Sequence, residues 1–371
     1  MKINSFGRES FLGVIWGLIP LSYFATDSST LALALFIPIY FVLFIFRGSS
    51  KAPREALEVL LFTGLLTLQS LAVEINSNIE LFGYLRMAIF TINLCALLIL
   101  IKRDNLGEFC TSFFVTTSLI AGFHIILILT GQSTENFGRY NFIGNSHPNL
   151  GGEIYAIAAF AGAMSLSKQY FAILVTTMLA SSFLLQSRTG SAVMLMLLLL
   201  KLFCETPDRR LNTKSLVLGI GAMLVFTAAA LIFESSRDFL INDVFRANDE
   251  YRGVSTGMIT GRDQQWADAL NIFYTNPLIG SGLNSFGEED QRGAHSPILY
   301  ALAMFGLSGI LFWLYFGGKY WKILQIDRRS AIYLIPVTLM VVINDRFLNS
   351  NPFPLFFYLF LLMLARPVSK N

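Results

Sequence analysis

The chain has 371 residues, 54% of them hydrophobic and only 14% charged, with a net charge of +3 at pH 7. A soluble domain carries roughly 25% charged residues, and a single water-soluble core cannot absorb so much apolar side chain. The composition excludes an ordinary cytosolic enzyme, a secreted disulfide scaffold, a nucleic-acid binder and a disordered protein, and leaves an all-α polytopic membrane protein.

Apolar windows of roughly 17–21 residues mark spans. In chain order they predict about twelve transmembrane helices: 11–25, 30–46, 56–73, 81–101, 109–130, 150–167, 170–186, 190–203, 215–233, 297–316, 330–344 and 352–366. The first follows Lys2 and Arg8 like a signal peptide. It lacks a small-x-small cleavage pattern and reads as a retained helix. Residues 1–371 read as a single integral membrane domain. Cys95, Cys110 and Cys204 share no CxxC spacing and read as small buried hydrophobes.

The connections sort by charge. Segments 1–10, 47–55, 102–108, 168–169, 204–214, 317–329 and 367–371, with the adjoining Lys201 and Arg366, hold 18 of the 27 Lys and Arg. Segments 26–29, 74–80, 131–149, 187–189, 234–296 and 345–351 hold eight, and Arg86 lies inside a span. The positive-inside rule places the first set, with both termini, in the cytoplasm. All nine Lys lie on that side, whereas the eight outer basic residues are all Arg: Arg139, Arg188, Arg237, Arg246, Arg252, Arg262, Arg292 and Arg346. Guanidinium holds phosphate bidentately. The outer set therefore reads as a phosphate-binding surface, or as ordinary surface ion pairs.

Segment 234–296 is too long for a plain connection. It reads as a large, partly helical outer loop that folds against the membrane mouth. Within it, Trp266, Ala269, Leu270 and Phe273 fall at helical spacing. The pattern predicts a helix from Arg262 to Tyr274, with Thr260 as a cap, Asp263 three residues on, and Asn276-Pro277 as the stop. Arg262 then sits at a helix N-terminus, where backbone N–H groups favour an anion. Gly280 and Gly282 lack the context of a nucleotide fold and predict a tight loop against a ligand or another backbone. Ser296 and Pro297 read as the N-cap and first position of the next span. That places His295 just outside the membrane.

Other polar residues face the same side. Arg188 sits in the tight Ser187-Arg188-Thr189-Gly190 turn. Arg139 and His147 belong to a shaped loop over 136–149. Arg86 lies near the outer end of its span, where an arginine costs roughly 2.5–3.5 kcal/mol and faces a cavity or snorkels. His124 reads as a packing residue.

Together these pieces resemble the O-antigen ligase and O-antigen polymerase superfamily of bacterial cell envelopes. TGRDQQWADALNIFYTNPLIGSGLNSF looks like the family's arginine–tryptophan helix with its following glycine stretch. AHSPILYALAMFGLSG looks like its histidine motif leading into a span, and the SRTG turn and GNSHPN loop are similar to further family features. One departure is Ser296, where the family often has Asn.

The resemblance implies an inner-membrane glycosyltransferase that takes a glycan from undecaprenyl diphosphate on the periplasmic face. It implies no metal and no cofactor, and no Asp-x-Asp pair or outer ligand cluster is found here. By family match Arg188, Arg262 and His295 carry the chemistry. Arg86, Arg139, Arg292, Arg346 and Asp263 are further substrate-binding candidates. The implied acceptor is another lipid-linked glycan for a polymerase or lipid A-core for a ligase, with membrane lipids and other polysaccharide assembly proteins as partners and no nucleic acid. A lipid-linked oligosaccharide flippase is the reading from another class. The nearly uncharged midplane and the absence of a half-to-half repeat oppose it.

Overall fold

A computed structural model describes residues 7–26, 29–45, 52–75, 81–133, 135–136, 139–140, 142, 148–185, 187–205, 250–251, 254–255, 262–283, 296–344 and 352–366. The expected span 215–233 and most of loop 234–296 lie outside these residues.

The described residues are helical. They form α1 (Arg8–Gly17), α2 (Ile19–Thr26), α3 (Ser29–Ala34), α4 (Phe36–Ile45), α5 (Arg54–Glu74), α6 (Leu81–Leu100) and α7 (Leu106–Leu129). Then follow α8 (Pro148–Ser165), α9 (Lys168–Leu184) and α10 (Arg188–Leu199), which continues as a π-helical turn over Leu200–Cys204. The last set is α11 (Arg262–Thr275), α12 (Pro297–Phe305), α13 (Leu307–Ile326), α14 (Arg328–Asn344) and α15 (Pro352–Leu364). Two small antiparallel ladders pair Glu135–Asn136 with Arg139–Tyr140 and Glu250–Tyr251 with Val254–Ser255.

Among the described residues three helical stretches are long and apolar enough to cross a membrane: Arg54–Glu74, Leu81–Leu100 and Arg103–Leu129. Shorter apolar helices lie at Thr30–Ile45, Leu150–Ser165, Thr189–Phe203 and Phe353–Leu364. A helix that is apolar all round belongs at the centre of a bundle, and α8 and α15 take that place. Residues 154–161 of α8 are fully buried, and α15 is buried from Phe353 onward. By contrast α5 exposes Leu57, Leu60, Leu61, Leu65 and Leu68, the face a lipid tail would cover.

Small residues let the helices close up. A Cβ on Gly13 of α1 would fall 2.5 Å from the Phe109 carbonyl of α7, and one on Gly162 of α8 would meet the Phe114 ring. Aromatic rings fill the remaining space. Trp16 stacks on Phe36 at 4.2 Å between centroids, and Phe316 lies 4.4 Å from Tyr358. Cys110 is buried and Cys95 half-buried, both as free thiols. The Cys204 side chain lies outside the described residues.

Buried acids tie the bundle at one end. Glu205 Oε2 receives Lys201 Nζ at 2.8 Å and the Tyr333 hydroxyl at 2.8 Å, while Oε1 faces Arg329 at 3.2 Å. Lys201 and Arg329 also donate to the Ala163 carbonyl of α8. Helix α5 is fastened to the C-terminal helices as well. Glu58 receives Lys319 at 2.7 Å and Tyr315 at 2.5 Å, and Glu55 receives Arg366 at 2.9 Å.

The expected span 297–316 divides at Gly306. This glycine has φ +58, and a Cβ there would meet the Pro277 carbonyl at 2.6 Å. Helix α12 ends before it, and α13 starts after it and runs on to Ile326, through what the charge pattern predicts as loop. Lys319 and Lys322 are tolerated in α13 because long basic side chains carry their charge along an apolar stem to a polar partner.

Candidate active site

Two turns carry the arginines singled out by the sequence. The first joins α9 to α10. The Ser187 N–H donates to the Ser182 carbonyl at 3.0 Å, and the Ser191 hydroxyl donates to that of Ser182 at 2.8 Å. Ser187 is buried, at 2% exposure. The turn presses on the start of α8, where a Cβ on Gly152 would overlap the Ser187 hydroxyl and one on Gly190 would overlap the Gly152 carbonyl. Arg188 is the first residue of α10, which has no side-chain cap. The first-turn N–H groups are thus left for an anion or water.

Substituting Gly190 with alanine should therefore wedge α10 from α8, because the atoms it meets are backbone. The expected cost is about 1–3 kcal/mol, read as a lower thermal midpoint. An unchanged midpoint would show that the helices can part without loss.

His124 lies behind this turn and does more than pack. It is buried, Nδ1 lies 2.9 Å from the Ser181 hydroxyl, and the Tyr155 hydroxyl lies 3.1 Å from that same oxygen. The Phe142 ring stands edge-on to both His124 and Tyr155.

The second turn begins with α11. Arg262 is its first residue and Asp263 its second, and the helix ends at Thr275 before Asn276-Pro277, as the spacing predicts. Trp266, Ala269 and Ile272 form its inward face against Leu299, Tyr300 and Ala303 of α12. Thr260, the expected cap, lies outside the described residues. Ser296 does take the N-cap place of α12 with Pro297 next, but it makes no side-chain cap hydrogen bond.

The ribbon 276–283 then folds back along α12. Gly280 and Gly282 have φ +71 and +92; Gly280 lies against the backbone of Met304 and Phe305, and Gly282 against the Glu74 side chain. Ser281 N–H donates to the Ala303 carbonyl at 2.9 Å, Gly282 N–H to Met304 at 3.0 Å, and Leu307 N–H to Pro277 at 3.0 Å. A side chain on Gly280 would collide with the Met304 carbonyl. Gly280→Val should combine that collision with a disallowed φ. It is expected to lower the amount of folded protein in membranes; a wild-type level would contradict the close packing of the ribbon.

Sequence reasoning missed what holds the ribbon from the other side. Gln69 Nε2 of α5 donates to the Ile279 carbonyl at 2.6 Å and to the Phe305 carbonyl at 3.0 Å. The Leu283 N–H donates to the Ser70 hydroxyl at 2.6 Å. Glu74, 4% exposed, lies against Gly282 so closely that a Cβ there would overlap its carboxylate. The Tyr84 hydroxyl of α6 donates to Glu74 Oε2 at 2.9 Å. The available signal was a Ser and a Glu four residues apart at the end of an apolar span.

Arg86, one turn into α6, sets its guanidinium over the Phe82 ring at 4.0 Å. Arg139 lies in the ladder over 135–140, with its side chain outside the described residues. The same holds for the side chains of Arg188, Arg262 and Asp263. Arg292, His147, His295 and Arg346 lie outside the described residues altogether. Helices α10 and α12 both touch α14, which links the elements next to Arg188 and Arg262. Among the described residues no group of three or more His, Cys, Asp or Glu gathers as metal ligands.

Residues 173–314 match the family model described as O-antigen ligase. The chain is similar to that family over this segment, and the match supports the superfamily that its motifs resemble. The matched stretch contains Arg188, Arg262, Asp263, Arg292 and His295; Arg86, Arg139 and Arg346 fall outside it. The apolar helices and the family match together support a membrane protein of surface-polysaccharide synthesis. A comparison with curated proteins finds no match.

Proposed function

We propose that the chain is a metal-independent glycosyltransferase of the bacterial inner membrane that polymerises a surface polysaccharide on the periplasmic face. The donor is a glycan on undecaprenyl diphosphate and the acceptor is a hydroxyl of a second lipid-linked glycan. The observation that carries this reading is the family match over a segment in which Arg188 and Arg262 each open a helix.

In the reaction the acceptor oxygen attacks the anomeric carbon. The bond from that carbon to the diphosphate oxygen breaks, and the lipid diphosphate leaves with the electron pair. Arg188 and Arg262 stabilise the charge that develops on it, in a site poor in water. His295 orients the acceptor hydroxyl or takes its proton, a role suited to an imidazole near its ordinary pKa. Arg86, Arg139, Arg292, Arg346 and Asp263 are proposed to bind the donor and acceptor. Loop 234–296 is proposed to carry part of the site on the periplasmic side, with a groove for the lipid between the twelve spans and both termini in the cytoplasm.

The second reading is a ligase that passes the glycan to lipid A-core, the activity in the matched family's description. A deletion strain separates the two. Glycan stopped at one repeat unit indicates the polymerase, and long chains stranded on the carrier indicate the ligase. Purified protein given a lipid-linked donor should transfer chains without a second protein. Movement of the donor across the bilayer with no transfer would replace both readings by a flippase. Activity that a chelator abolishes and a divalent ion restores would overturn the metal-free mechanism.

A further inference from the structure

We infer that Gln69, Ser70 and Glu74 of α5, with Tyr84 of α6, are positioning residues for glycan transfer. They fix the ribbon 276–283, and through it the helix that Arg262 opens. The inference rests on the function proposed above, and all four residues lie outside the matched family segment.

The ribbon is the covalent link between the two candidate elements. Upstream it continues directly from α11; downstream it leads into 284–295. Its backbone groups are divided between two holders. Ser281 and Gly282 give their N–H groups to α12, whereas the Ile279 carbonyl and the Leu283 N–H go to Gln69 and Ser70. The Gln69 amide holds two elements at once, since it also donates to the Phe305 carbonyl at the end of α12. Glu74 fills the space that the bare Gly282 leaves, and Tyr84 fixes the carboxylate from α6.

A simple seal at the end of the bundle would need only apolar contact. Here a buried carboxylate, a group costly to remove from water, packs against Gly282 of the ribbon and is held by the Tyr84 and Ser70 hydroxyls. Polar networks of this kind select one arrangement rather than adding bulk stability. A shift of about 1 Å in a reacting group costs on the order of 100-fold in rate.

The test uses the purified full chain in lipid, a lipid-linked glycan donor and initial rates. Ser70→Ala and Glu74→Ala should lower kcat about 10- to 100-fold, with KM for the donor within about twofold of wild type, because the interaction lost is one that orients rather than binds. Glu74→Gln keeps the size and an acceptor for Tyr84 and should recover most of kcat. Wild-type kcat in both alanine variants overturns the inference. So does a Glu74→Gln variant as slow as Glu74→Ala, since the charge and not the fit would then be in use. If Glu74→Ala does not reach the membrane, Ser70→Ala and Gln69→Leu decide the matter by the same kcat and KM readout. Arg262→Ala, run in parallel, separates the two levels. A fully active Arg262→Ala defeats the role given to Arg262, and glycan transfer absent from the wild type defeats the functional reading, while a slow Arg262→Ala beside normal α5 variants defeats only this inference.

Discussion

Replacing Arg262 with alanine should lower glycan transfer about 100- to 1000-fold, the range seen when one donor to a developing anion is removed. Arg262 opens a helix of 14 residues, so its guanidinium would act beside first-turn N–H groups and the positive end of the dipole. The helix itself should survive, because its inward face of Trp266, Ala269 and Ile272 is untouched. Membrane levels should therefore stay near wild type. Arg262→Lys should recover only part of the rate, since an ammonium keeps the charge but not the two-pronged geometry. The measurement is chain transfer from a lipid-linked donor, normalised to protein in the membrane. A normal glycan profile from the alanine variant removes Arg262 from the mechanism.

Glu205→Ala should act on stability instead, at about 3–5 kcal/mol, the usual cost of breaking a buried ion pair by removing one partner. The change withdraws the carboxylate from Lys201, 1% exposed at its side chain, and from Arg329 and the Tyr333 hydroxyl. The cluster sits at the far end of the helix that Arg188 opens, on the order of 25 Å away at 1.5 Å per residue. Molecules that remain folded should keep their transfer rate. Thermal unfolding in detergent reads the first effect and the specific activity of the folded fraction the second. An unchanged midpoint would mean that the network adds nothing.

The spans that were most legible are those whose apolar windows have no break. Helices α5, α6 and α7 match the expected 56–73, 81–101 and 109–130 to within a few residues. Helix α11 was legible because Trp266, Ala269 and Phe273 repeat at the helical period on an otherwise polar stretch. The break at Gly306 was not, because Met304, Phe305 and Leu307 keep the window apolar across it. Hydropathy measures preference for a solvent, whereas the break is a backbone angle of +58° made possible by a missing side chain. His124 shows a second limit. Its apolar surroundings were readable, but its partner Ser181 lies 57 residues away. The α5 residues that hold the ribbon were invisible for the same reason. Gln69 meets Ile279 across 210 residues, and at the end of a span a polar side chain reads only as the start of a loop. The motifs around Arg188, Arg262 and His295 were legible in the sequence as a resemblance to a family, and the match over 173–314 supports the family and not the role of any one residue.

The fastening of α5 at both its ends bears on how such a protein can be taken apart. The family-matched stretch has its Ile279 carbonyl and Leu283 N–H held by a helix from the first quarter of the chain. That same helix is moored at its other end to α13 and to Arg366, beyond the stretch. A fragment cut at 173 and 314 would lose both moorings, and a chimera that exchanged only this stretch would need the incoming backbone to fit the resident Gln69, Ser70 and Glu74. The unit that can be swapped between relatives is therefore larger than the unit by which they are recognised.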